Sequence, residues 1–159
     1  MLAHRTSIAI VDDEESIRVS MRRLCTAVGL NATIYASGQE FIAALDSGGA
    51  CPDCLLLDAH MPRMTGLEVH QQLVRRNVSF PTVIYTADDA PEAQARYRAA
   101  GVAEYLLKPV GAEELLAAIE RVILQHGPAK DARLSGVVAP ATAPSIRTSI
   151  SAPAYERSR

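Results

Sequence analysis

Asp12 and Asp13, a third aspartate at Asp58, the hydroxyl of Thr86 and the ammonium of Lys108 are the side chains whose types could do chemistry together in this sequence. Each follows or closes a short apolar run: Ser7–Val11 before the acidic pair, Leu55-Leu56-Leu57 before Asp58, Val83-Ile84-Tyr85 before Thr86 and Leu106-Leu107 before Lys108. Three carboxylates brought together repel one another, so each is destabilised unless a cation neutralises it or it takes up a proton. Mg²⁺ answers that cost, because it takes oxygen ligands octahedrally, uses one or two carboxylates, and leaves positions for water and phosphate oxygens. Lys108 adds a second positive charge. With the Thr86 hydroxyl, the set describes a receptacle for a phosphoryl group, whose transfer is governed by positioning and electrostatics. Asp58 then supplies the nucleophile, since a carboxylate forms an acyl phosphate and the end of a buried strand holds it rigidly.

Taken singly, each feature has an ordinary reading. Asp12-Asp13 with Glu14 and Glu15 suits a helix N-terminus, Lys108-Pro109 suits a turn, and Asp58 to Gly66 is a loop with Pro62 and Gly66 where turns want them. What decides for a site is the conjunction, four such features at the ends of apolar runs that one sheet would align on one edge.

The elements that must do the aligning are visible as alternation. Strand-like runs at Ser7–Val11, 32–36, 54–57, 82–85 and Glu104–Leu107 are apolar almost throughout, the pattern of parallel strands covered on both faces. Between them, Ile17, Met21, Leu24, Cys25 and Val28 recur at the spacing of one buried helix face, and Leu115, Leu116, Ile119, Val122 and Ile123 do the same on a last helix over 112–125. Ser37-x-x-Glu40 and Thr65-x-x-Glu68 match capping boxes, Pro91 suits a first helical turn, and Gly101 and Gly127 suit helix ends. Five βα units with right-handed crossovers form a doubly wound parallel sheet with helices on both faces, and ligands of such sheets sit at the carboxyl ends of the strands.

The totals set bounds. A chain of 159 residues accommodates one full core. No apolar run approaches the roughly 20 residues of a membrane span, and no signal-peptide pattern opens the chain, so a cytoplasmic protein without membrane contact is expected. Sixteen basic against 18 acidic side chains, net -2, with no basic stripe, argue against direct nucleic-acid binding. Three cysteines make no disulfide framework; Cys51 and Cys54 form a CPDC that precedes a strand-like run instead of the helix a redox pair needs, and Cys54 reads as a small buried hydrophobe. From 128 to 159 the chain is rich in Ala, Pro, Ser and Thr without any period, and carries Lys130, Arg133, Arg147, Arg157 and Arg159 against Asp131 and Glu156. That composition reads as a disordered tail following a domain of residues 1–127.

VDDEESIR, LLLDAHMPRMTGLE, VIYTA and EYLLKPV together resemble the receiver domain of bacterial two-component response regulators, over roughly residues 6–125. The wording around Asp58 is similar to receivers of nitrogen-fixation regulators. The resemblance implies a flavodoxin-like strand order 2-1-3-4-5, phosphorylation of Asp58 by a histidine kinase or phosphotransfer protein, and Mg²⁺ (Mn²⁺ able to substitute) held by Asp12, Asp13, Asp58 and the backbone carbonyl of His60. It further implies that Lys108 pairs with the phosphoryl oxygens, that Thr86 moves to bond one of them as Tyr105 turns inward, and that the Lys108-Pro109 peptide is cis. His60 and Asp88, two residues beyond the acceptor and the switch hydroxyl, are expected to tune the lifetime of the phospho-aspartate.

The sequence offers no periodicity for a DNA-reading module after the receiver, so a stand-alone signalling protein is expected, not an enzyme in the turnover sense. Its output would be a downstream protein target or self-dimer. A phosphate sink for a shared kinase is the alternative. An aspartyl-nucleophile phosphatase shares the chemistry, but its D-x-D loop is absent because His60 stands two residues after Asp58. Crowded carboxylates also imply that Asp13→Ala should raise stability when no metal is bound.

Overall fold

The computed structural model describes residues 5–127; the expected tail at 128–159 lies outside the described residues. Five strands, β1 (Ser7–Val11), β2 (Asn31–Tyr35), β3 (Cys54–Asp58), β4 (Thr82–Thr86) and β5 (Glu104–Leu107), alternate with five helices. These are α1 (Glu15–Ala27), α2 (Gly38–Asp46), α3 (Gly66–Arg75), α4 (Pro91–Ala99) and α5 (Ala112–His126). All strands are parallel, in the order β2-β1-β3-β4-β5, the expected doubly wound, flavodoxin-like sheet.

Side chains alternate between the two faces of a strand. Ile8, Ile10, Cys54, Leu56, Val83 and Tyr85 therefore pack beneath α1 and α5 with Cys25, Leu115, Ile119 and Val122. Ala9, Val11, Leu55, Leu57 and Ile84 face α2, α3 and α4, against Phe41, Val69, Leu73 and Tyr97. β1, β3 and β4 are nearly or fully buried along their length because they are central. β2 is not: it starts one residue earlier than its apolar run and reads exposed and half-buried, since an edge strand has one solvated side. Val28, expected on the buried face of α1, is 53% exposed, because the helix has ended and Val28 is its C-cap.

Capping chemistry behaves as two different cases. At Thr65 the box is complete, the hydroxyl accepting from Glu68 N–H and the Glu68 carboxylate accepting from Thr65 N–H. At Ser37 the hydroxyl accepts from Glu40 N–H, but the Glu40 carboxylate reaches back one residue further, to Ala36 N–H at 2.7 Å. Cys54 opens β3 fully buried, with its thiol pushed well above its ordinary range by burial, as suits a small buried hydrophobe. Among the described residues no helix is long and apolar enough to cross a membrane.

Candidate functional site

Alternation along the strands also decides which side chains meet. Asp12 continues the row of Ile8 and Ile10, and Asp58 that of Cys54 and Leu56, so both carboxylates emerge on the α1/α5 side of the carboxyl edge. Tyr85 and Lys108 continue the same side on β4 and after β5. Asp12 is fully buried, Asp58 is 5% exposed and Asp13 is exposed. One oxygen from each of the three carboxylates lies within 4.8 Å of the others.

Lys108 Nζ stands between two of them, 3.4 Å from Asp58 Oδ1 and 3.5 Å from Asp12 Oδ2. Burial, then the neighbouring Asp12, raises the pKa of Asp58, and Lys108 and the His60 N–H act in the opposite direction. Asp58 is thus a carboxylate that its surroundings leave short of positive charge. An all-oxygen set with one buried and one exposed carboxylate beside Asp58 fits a hard divalent cation, which keeps several waters.

The backbone fixes Asp58 from below. Gly66 N–H donates to the Ala59 carbonyl, closing the loop after β3, and a Cβ at Gly66 would lie 2.5 Å from the Asp58 carbonyl oxygen. Glycine is required there by close approach, so α3 begins directly against the Asp58 peptide. The Lys108-Pro109 bond is cis, and Lys108 N–H donates to the Thr86 carbonyl at 2.7 Å, tying the lysine's loop to β4.

Thr86 lies on the opposite row, with Ile84, and is fully buried. Its hydroxyl accepts from Asp88 N–H at 3.1 Å, and the Asp88 carbonyl accepts from the Tyr105 hydroxyl at 2.8 Å. A hydrogen-bonded path through Asp88 therefore links Thr86 to the partly buried Tyr105, whose ring centroid is 5.6 Å from that of Tyr97 on α4. His60 and Asp88 approach each other across the mouth, Nε2 to Oδ2 at 3.6 Å, with His60 largely in solvent.

Three contributors escaped the sequence reading. Tyr85 donates to Asp12 Oδ2 at 2.7 Å; a tyrosine on a central strand is a visible signal, because a buried hydroxyl needs a partner. Arg18 reaches back from α1 to the Asp12 carbonyl at 2.6 Å, which no spacing rule announces. His70, one turn into α3, bridges the Thr82 hydroxyl and the Ala100 carbonyl, fastening α3 to β4 and to the end of α4.

A doubly wound parallel sheet with clustered carboxylates, a lysine and a hydroxyl at its carboxyl edge is an α/β protein whose candidate site lies at the strand ends. The response regulator receiver domain model matches residues 8–120, and the chain belongs to that family. It is 35% identical to the DNA-binding transcriptional regulator NtrC of Salmonella typhimurium over 87% of this chain and 29% of the relative. It is 36% identical to the sensory transduction protein RegX3 of Mycobacterium tuberculosis over 82% of this chain and 56% of the relative. The chain thus spans roughly a third to just over half of these relatives. The response regulator receiver protein of Burkholderia phymatum superposes with a TM-score of 0.69 at 31% identity, covering 79% of this chain and all of that one. FixJ-N superposes at 0.72 and 26% identity over 80% of this chain and its own full length.

Proposed function

We propose that this receiver accepts a phosphoryl group on Asp58 from a histidine kinase or phosphotransfer protein and uses it to switch a protein-binding surface. The observation that supports it is the Asp58 carboxylate, buried at the end of β3 with Lys108 Nζ at 3.4 Å and two more carboxylates gathered beside it. In the transfer, an Asp58 oxygen forms a bond to phosphorus as the phosphorus–nitrogen bond of the donor breaks, and the imidazole departs with the bonding pair. Lys108 takes up the charge of the transferred group's oxygens. Asp12, Asp13, Asp58 and the His60 carbonyl would hold a Mg²⁺ or Mn²⁺ ion, which supplies charge neutralisation at the phosphoryl oxygens.

The reaction is one self-modification per cycle followed by slow hydrolysis, which His60 and Asp88 tune from the mouth. Thr86 gives up the Asp88 N–H to bond the phosphoryl group, which frees the Asp88–Tyr105 link and lets Tyr105 turn inward beside α4. The output is read on α4, β5 and α5 by a target protein or a second copy, with residues 1–127 as the receiver unit in the cytoplasm. Relatives named as DNA-binding regulators carry DNA binding in their own names; the surface argued here binds protein.

Treating the protein with acetyl phosphate and Mg²⁺ should give one hydroxylamine-labile acyl phosphate and a change in tyrosine fluorescence, both absent in Asp58→Asn. Label that persists in Asp58→Asn, or steady turnover of small phosphoesters, would reject this reading.

A further inference from the structure

We propose that Tyr85 is a positioning residue for this site: its hydroxyl clamps Asp12 in the orientation that receives the metal, and its ring keeps Lys108 directed at Asp58. The inference deepens the phosphoacceptor reading and rests on it.

Both Asp12 oxygens are already held. Oδ1 accepts from Glu14 N–H at 2.8 Å, and Oδ2 accepts from the Tyr85 hydroxyl at 2.7 Å. Arg18 fixes the backbone of the same residue through its carbonyl. A carboxylate held at both ends has no rotation left to lose when a cation arrives, which is how an outer hydrogen-bond partner strengthens a metal site. The tyrosine is fully buried in the core beneath α1 and α5, and its ring forms one wall of a cavity of about 590 Å³ with Met21, Pro109, Val110 and Leu115.

The second effect concerns Lys108. Its Nζ lies 4.8 Å above the Tyr85 ring centroid, within the range of a cation–π contact. The ammonium sits 3.5 Å from Asp12 Oδ2, the oxygen that also takes the hydroxyl's short bond, and 3.4 Å from Asp58 Oδ1. Without the hydroxyl, Lys108 and Asp12 would close into a tight buried pair. The lysine would then be withdrawn from the acceptor, and the carboxylate from the metal.

Tyr85→Phe removes the hydroxyl and keeps the ring. Mn²⁺ binding to the unphosphorylated full chain, read as free ion by electron paramagnetic resonance, should weaken about tenfold in this variant. Phosphorylation by acetyl phosphate at saturating Mg²⁺ should also slow. Adding Tyr85→Phe to Asp12→Asn should weaken binding by less than twofold beyond Asp12→Asn alone, because the hydroxyl acts through that carboxylate. Unchanged Mn²⁺ affinity in Tyr85→Phe, or a tenfold loss that survives in the Asp12→Asn background, overturns the proposal while leaving the acceptor reading intact. A wild-type chain that binds no Mn²⁺ and takes no phosphoryl group overturns both. If Tyr85→Phe does not melt cooperatively, Tyr85→Met fills the same wall without a hydroxyl and is held to the same outcomes.

Discussion

Asp58 is held where ionisation is unwelcome, and that has a measurable sign. Burial and the adjacent Asp12 raise its pKa above the ordinary 3.8, so the folded state binds this proton more tightly than the unfolded chain does. Its contribution to stability is full below the ordinary value and is lost as pH rises through the folded value. Asp58→Asn cannot titrate. In EDTA it should melt at least as high as the wild type, with an advantage that is small near pH 4 and grows to about 3 °C by pH 7, as a ~1 kcal/mol change does in a domain of this length. Calorimetry across that range showing a constant difference, or a lower melting point at neutral pH, would place the crowding elsewhere. The carboxylates, Thr86 and Lys108 were legible in the sequence because each ends an apolar run, and the ends of parallel strands align. The partner of Tyr85 was not, since the residue sits inside such a run and which group its hydroxyl meets depends on how β1 and β4 are placed in the sheet.

At the scale of elements, Asp58 is positioned by how closely α3 approaches β3. The Thr65 box starts the helix, and Gly66 lets its first turn press on the Asp58 peptide. A methyl at Gly66 meets the backbone of the Asp58–Ala59 peptide, the Asp58 carbonyl oxygen at 2.5 Å and the Ala59 Cα at 3.0 Å, and backbone cannot rotate out of the way. Gly66→Ala should therefore cost about 2 kcal/mol of stability, within the range of overpacked sites, and it should lower the rate of phosphorylation at Asp58 because the loop must shift. Urea unfolding with an unchanged slope and a lower midpoint checks the first part; an unchanged midpoint would mean that the helix moves freely. Helix starts were readable from Ser37, Thr65 and Pro91 because capping is local chemistry. The partner of Glu40, the end of α1 before Val28 and the His70 bridge were not, since each depends on how neighbouring segments are placed.

For the molecule as a whole, five βα units were readable because central parallel strands must be apolar on both faces, and β2 departed from that pattern because it forms an edge. The same burial logic redistributes the expected strain. Asp13 is exposed at the rim of the group while Asp12 and Asp58 are enclosed with Lys108 between them. Screening by water leaves little repulsion at Asp13 to relieve, so Asp13→Ala should move the metal-free stability by less than about 0.5 kcal/mol, in place of the gain that crowding alone suggested. Its effect should appear only with the cation. A ligand that binds the folded state alone stabilises it by mass action, by about 2.7 kcal/mol at a hundred times its dissociation constant. The wild-type melting temperature should therefore climb steadily with Mg²⁺ concentration, whereas that of Asp13→Ala should stay flat. Scanning calorimetry over a Mg²⁺ series checks this, with Na⁺ at matched ionic strength to subtract screening. An equal climb in both proteins would mean that the ion binds without Asp13, and that carboxylate would then be a charged rim beside Asp58 and not a metal ligand.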